Sequence, residues 1–125
     1  MKLNTFMVIT AIVAVLFGLA FLLVPVQTMS MYGITLDIPG QYLGRYLGSA
    51  FLGLAAIMWF ARSATGDNAL LRAILLGGFV VTLTGFVVAL FDKFLGVGNA
   101  VVWSTVVIYL LLAIGFGYFY FGKPK

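Results

Sequence analysis

Four runs of predominantly apolar residues divide the chain, at about residues 5–24, 42–61, 69–91 and 100–121. A transmembrane helix needs about 20 such residues in succession, and each run meets that length. Because the core of a bilayer offers no water to backbone N–H and C=O groups, each run must satisfy these groups internally. The sequence therefore predicts four membrane-spanning helices.

The composition agrees with a membrane environment. Hydrophobic residues make up 64% of the chain and charged residues 8%. An ordinary soluble domain has roughly 45–50% apolar and about 25% charged residues. A soluble fold could not bury this much apolar surface, so the lipid bilayer is the expected solvent. The net charge of +4 comes from scattered residues that flank apolar runs, and no nucleic-acid partner is expected.

The first apolar run is predicted to be a retained helix and not a cleaved signal peptide. A single basic residue, Lys2, precedes it, and no A-x-A cleavage pattern follows it. The run is also longer than the apolar core of a signal peptide, which has about 7–15 residues.

Basic residues predict the orientation of the chain. With four spans, both termini and the middle loop lie on one side of the membrane. That side carries five of the seven basic residues: Lys2, Arg62, Arg72, Lys123 and Lys125. Arg45 and Lys93 fall on the other side. Since Lys and Arg accumulate in cytoplasmic loops, both termini are expected in the cytoplasm. The economy of the chain suggests a prokaryote, so the expected location is a bacterial inner membrane.

The predicted fold is an all-α membrane protein, an antiparallel four-transmembrane-helix bundle that forms a single domain over residues 1–125. Small residues recur on one side of every predicted helix, which allows close helix packing. The longest connection, residues 25–40, contains two prolines, and one interfacial turn is expected within residues 28–32. In the middle loop, Asp67 or Asn68 is expected to cap the third helix.

Arg45 is the most unusual residue of the second predicted helix. At about 100° per residue, it lies in the middle of a face of small residues. These are Gly44, Gly48, Ser49, Gly53 and Ala56. Small residues favour contact with protein, so this face is predicted to pack against another helix. The bulky residues Leu47, Phe51, Leu54 and Met58 are expected to face lipid.

The third predicted helix has a comparable face, formed by Gly78, Thr82, Gly85 and Ala89. Asp92 lies near this face, at the same predicted depth as Arg45. We therefore predict that Arg45 and Asp92 approach each other across facing stripes of small residues. Two interpretations of Arg45 remain open. In the first, Arg45 has a structural role: it extends to the membrane interface or forms an ion pair with Asp92 or Asp37. In the second, it recognises an anionic ligand.

Few side chains suited to catalysis are present. The chain has no Cys, His or Glu, and its acids are Asp37, Asp67 and Asp92. Disulfides, thiolate chemistry, zinc sites and histidine-ligated haem are excluded on these grounds. No catalytic residue, metal site or cofactor is expected. Thr82 and Thr84 are expected to bond to their own helix, although they are also candidates for lining a polar path.

Three features of the chain resemble the DoxX-like, domain-of-unknown-function class of small bacterial four-helix membrane proteins. They are Pro25 near the end of the first run, "YGITLD" at residues 32–37, and "R-x-x-G-S-A-x-L-G" at residues 45–53. This resemblance implies an architecture and transfers no catalytic residues. The expected function is that of a non-enzymatic accessory or scaffold subunit of a membrane complex, or of a homo-oligomer. The alternative is a small carrier or channel for an anionic or lipidic ligand recognised by Arg45.

Overall fold

The computed structural model describes residues 2–63 and 69–122, and all regular secondary structure in these ranges is helical. The helices are α1 (Leu3–Leu23), α2 (Pro25–Ser30), α3 (Ile38–Ala61), α4 (Ala69–Phe94) and α5 (Val102–Phe121). Four of them, α1, α3, α4 and α5, are long and apolar enough to cross a membrane. The chain divides into two compact units, residues 1–62 and residues 63–125.

The first unit is an antiparallel hairpin of α1 and α3, with α2 between them. The start of α1 lies beside the end of α3, where Asn4 Nδ2 donates a hydrogen bond of 2.8 Å to the carbonyl oxygen of Arg62. The core on α1 consists of residues at helical spacing: Phe6, Met7, Thr10, Ala11, Ala14, Gly18 and Phe21. On α3 the buried residues are Gly48, Ala55 and Met58.

A proline ends α1 and starts α2. Pro25 has no N–H to donate into the helix, and Val24 leaves the helical conformation at φ −137° and ψ 60°. The hydroxyl of Thr28 donates to the carbonyl oxygens of Val24 and Ala20, at 2.8 and 3.1 Å. Because Thr28 is buried, these bonds tie the two helices together across the break. The predicted turn at residues 28–32 is thus a six-residue helix that begins earlier, at Pro25.

The second long helix, α3, begins at Ile38, four residues before its predicted start. Asp37 caps it, because one carboxylate oxygen, Oδ1, accepts a hydrogen bond of 2.8 Å from the backbone N–H of Gly40. Pro39 lies in the first turn, where a missing N–H costs nothing. Pro39 was assigned to the connection between two predicted helices, and it instead helps to start α3.

The second unit is an antiparallel hairpin of α4 and α5. Phe116 is 1% exposed and lies against Gly78, while the Tyr109 ring lies against Gly85. The turn between the helices contains Gly96 and Gly98 at φ 88° and 70°, a conformation that favours glycine. The helix α4 ends at Phe94, three residues later than predicted, so Asp92 lies in its last turn.

Candidate functional site

Arg45 lies in the N-terminal third of α3, on an exposed part of the helix surface. The α3 residues that are buried against α1 lie on another face. Among the described residues of the first unit, no ion pair, hydrogen bond or cation–π contact of Arg45 is present. The guanidinium is therefore available to a group from outside this hairpin.

Two tyrosines flank Arg45 one helical turn apart. The hydroxyl oxygens of Tyr42 and Tyr46 are 3.1 Å apart, at hydrogen-bond distance. Their rings meet edge to face, with centroids 4.9 Å apart. Both tyrosines are exposed, so this part of α3 presents two hydroxyls and one guanidinium to its surroundings. The sequence predictions did not include this pair of tyrosines. The sequence signal for such a pair is the spacing of four residues between Tyr42 and Tyr46, which places their side chains next to each other on a helix.

The structure uses Asp37 as the cap of α3. Its Oδ1 accepts the Gly40 N–H, and its Cα lies eight residues before that of Arg45. Among the described residues, no ion pair joins the Asp37 carboxylate to the Arg45 guanidinium. Asp37 therefore acts as a helix cap in the structure, and its pairing with Arg45 stays a prediction.

Asp92 lies in the last turn of α4 and is partly exposed. Its backbone carbonyl accepts hydrogen bonds from Leu95 and Val97, at 3.1 and 3.0 Å. The adjacent Lys93 extends its ammonium to the carbonyl oxygen of Asn99, at 3.0 Å. Asp92 belongs to the second unit and Arg45 to the first, and their pairing stays a prediction. Asp67 and Asn68, the predicted cap of the third helix, lie outside the described residues.

The small residues of the second predicted helix have different environments in the structure. A Cβ on Gly44 would lie 3.3 Å from Cβ of Pro25, and Gly48 contacts α1 even more closely. Ser49 and Gly53 are exposed instead, and a Cβ on Gly53 would meet nothing within 4 Å. The α3 face that packs on α1 and α2 therefore includes Gly48 and Gly44, whereas Arg45 lies on the exposed part of the helix surface.

One expectation for this helix was wrong. Met58 is 3% exposed and forms part of the core, although it was assigned to the lipid face. Phe51 also turns inward. Its ring stacks on that of Phe21, with centroids 6.4 Å apart, and lies tilted against that of Phe17, with centroids 6.2 Å apart. Bulky side chains fill the space beside the contact of Gly48 with α1, so large and small residues pack on the same side of α3.

The small residues of α4 pack against α5. Gly78 and Thr82 are buried, Gly85 is half-buried against Tyr109, and Ala89 is also half-buried. The aromatic rings of α5 fit into the space that the glycines leave open. The predicted approach of this face to the small residues of the second predicted helix involves both units and stays a prediction.

The threonines of α4 bond to their own helix. Thr82 Oγ1 donates to the carbonyl oxygen of Gly78 at 2.7 Å, and Thr84 Oγ1 donates to that of Val80 at 2.8 Å. These bonds satisfy the hydroxyls locally, as threonines in membrane helices commonly do. Within residues 2–63 and 69–122, no cluster of three His, Cys, Asp or Glu side chains could hold a metal ion.

No family model matches the chain, and neither the curated proteins nor the solved structures contain a significant match. The resemblance to DoxX-like proteins stays a prediction from the sequence.

Proposed function

We propose that this chain is a non-enzymatic integral membrane protein that acts as a small accessory or scaffold subunit, or as a homo-oligomer. Four helices are long and apolar enough to cross a bilayer. Large apolar side chains are exposed along them, including Leu16 at 64%, Leu111 at 61% and Phe91 at 63%. Lipid is a suitable solvent for such surfaces, whereas water is not.

The observation that carries the proposal is the exposed face of α3. This helix packs on α1 at Gly48 and on Pro25 of α2 at Gly44, and it leaves Arg45, Ser49 and Gly53 exposed. Without a hydrophobic driving force in lipid, spanning helices associate through close contacts at small residues and through polar groups. A face that combines these two features is therefore suited to contact with another helix.

Two adjacent residues allow a matched test of this contact. Ser49 lies on the exposed small face, whereas Ala50 is exposed about 100° further around the helix. We expect Ser49→Leu to abolish self-association or partner binding, because Leu prevents a close approach, and Ala50→Leu to leave it unchanged. Native mass spectrometry after extraction in mild detergent measures the assembly. A wild-type protein that is monomeric and without a partner contradicts the proposal.

A second candidate function is a carrier or channel for an anionic or lipidic ligand that Arg45 recognises. The hydrogen-bonded hydroxyls of Tyr42 and Tyr46 favour it, since hydroxyls and a guanidinium are typical ligands of phosphate and carboxylate. Arg45→Ala should then abolish binding or flux in proteoliposomes while thermal stability is retained. A loss of stability that a second change at Asp92 reverses supports the structural ion pair instead.

The proposed location is the inner membrane of a bacterium, with both termini in the cytoplasm. The five-to-two distribution of basic residues supports this orientation. Since the chain has no cysteine, single substitutions can report its topology. We expect Ser30→Cys to react with a membrane-impermeant maleimide added to intact cells and Ser63→Cys to react only after lysis. The reverse pattern contradicts the orientation.

A further inference from the structure

The first hairpin contains an apolar groove of about 430 Å³ along the seam between α1 and α3. Its walls include Ala11, Val15 and Leu16 from α1 and Leu52, Ala55 and Ala56 from α3. Binding pockets for small molecules have volumes of roughly 300–1,000 Å³, so the groove falls in a suitable range. All the residues that line it are apolar or aromatic.

The groove exists because small residues lie between large ones. Ala11 and Ala55 are each 3% exposed, and their methyl groups are too short to fill the seam. Leu16 and Phe60, at 64% and 81% exposure, project at its sides. An apolar chain that enters the groove therefore contacts side chains on both helices, without leaving a polar group unsatisfied.

A cationic group lies at one end of the groove. Trp59 lines the groove, and the guanidinium carbon of Arg62 lies 4.0 Å from the centre of an aromatic ring of Trp59. Arg62 Nη1 donates a hydrogen bond of 2.6 Å to the carbonyl oxygen of Trp59, which fixes the side chain above the ring. A guanidinium has five N–H donors, so others remain for an anion.

The charges of the first unit are separated along its length. Residues 2–62 contain one acidic residue, Asp37, which caps the start of α3. Arg62 lies at the C-terminal cap of the same helix. The 24 residues of α3 place these two ends ~36 Å apart. Lys2 precedes α1, and Asn4 of that helix is hydrogen bonded to Arg62. Among the described residues of the first unit, the end of the hairpin that carries Arg62 is therefore positively charged. Asp67 lies outside the described residues.

We propose that this groove binds one acyl chain of an anionic phospholipid, whose phosphate contacts the guanidinium of Arg62. The inference rests on the proposed membrane location of the chain. The apolar walls are complementary to the hydrocarbon chain, and the Arg62 end is complementary to a negatively charged headgroup. Trp59 lies where the two parts of the lipid join, a position that suits its large apolar ring and its single N–H group.

Quenching of Trp59 fluorescence by brominated lipid tests the proposal directly. Trp103→Phe leaves Trp59 as the single tryptophan, because the chain contains two. This variant in mild detergent is titrated with brominated phosphatidylglycerol and with brominated phosphatidylcholine that carries the same acyl chains. We expect half-maximal quenching at an about tenfold lower concentration of the anionic lipid, which corresponds to about 1.4 kcal/mol. Arg62→Gln should remove this difference.

Two further variants separate the groove from general effects. Ala56→Leu fills the groove and should weaken quenching by both lipids, whereas Ala50→Leu, on another part of α3, should leave quenching unchanged. The Trp103→Phe protein keeps Arg62. If the two lipids quench its Trp59 fluorescence equally, the proposal is overturned, even if Arg62→Gln does not fold. If neither lipid quenches Trp59, no acyl chain occupies the groove, as when a protein segment fills it. That result also overturns the proposal. Neither result concerns Ser49, whose substitution tests the proposed association separately.

Discussion

Gly48 lies so close to Gly18 that a Cβ added to it would come within 2.6 Å of the Gly18 carbonyl oxygen. The reciprocal Cβ on Gly18 would lie 3.0 Å from the carbonyl oxygen of Gly48. Backbone atoms cannot move aside as a flexible side chain can, so this contact requires glycine at position 48. It sets the distance between α1 and α3 and therefore the width of the groove beside them.

We predict that Gly48→Ala destabilises the first hairpin. The added methyl group forces α1 and α3 apart, and overpacking of this kind costs about 1–3 kcal/mol. Unfolding by sodium dodecyl sulfate in mixed micelles measures the change. Gly53→Ala is the matched control, because a Cβ there meets nothing within 4 Å and alanine favours a helix. Equal loss of stability in the two variants contradicts the prediction.

Gly77 and Gly78 are adjacent in the sequence, but we expect opposite effects of substitution. Gly78 is buried against the ring of Phe116, whereas a Cβ on Gly77 meets nothing within 4 Å. Gly78→Ala should lower the thermal unfolding temperature of the protein in detergent, and Gly77→Ala should maintain or raise it. Phe116→Leu should partly restore the stability of Gly78→Ala, because it removes ring atoms from the contact. A neutral effect of Gly78→Ala is inconsistent with this packing.

The cap of α3 gives a third prediction. Asp37→Ala removes the acceptor for the Gly40 N–H and should destabilise the protein by about 0.5–2 kcal/mol. Asp37→Asn should cost much less, because Asn is also a good N-cap residue. The comparison is made by denaturant titration monitored by circular dichroism. If the negative charge of Asp37 is required, Asn will be as harmful as Ala, and the capping interpretation is wrong.

Thr28 should matter through its hydroxyl group. Thr28→Val keeps the shape of the side chain but leaves the carbonyl oxygens of Ala20 and Val24 without this donor. We expect a loss of about 1 kcal/mol in thermal or denaturant unfolding, whereas Thr28→Ser should retain most of the stability. Hydrogen exchange of the α2 amides provides a local measurement. Unchanged exchange in Thr28→Val would show that Pro25 alone fixes the junction.

The number and the approximate limits of the long helices follow from the sequence because they depend on the length of apolar runs. The start of α3 was also encoded, since Asp37 and Pro39 form a recognisable start signal, although both were assigned to the connection at residues 25–40. The approach of Gly78 and Gly85 to another helix agrees with the predicted stripe on α4. Their partners are aromatic rings of α5, and no sequence pattern identified them.

The tertiary structure alone decided which small residues form contacts. Gly48 and Gly53 belong to the same pattern of small residues, as do many other glycines of the chain, yet one contacts a helix backbone and the other is exposed. Met58 was misassigned for the same reason. In a soluble protein, polarity separates the inner face of a helix from the outer face. In an apolar chain this contrast is weak, so the face is selected by the shape of the neighbouring helix, which only the folded structure contains.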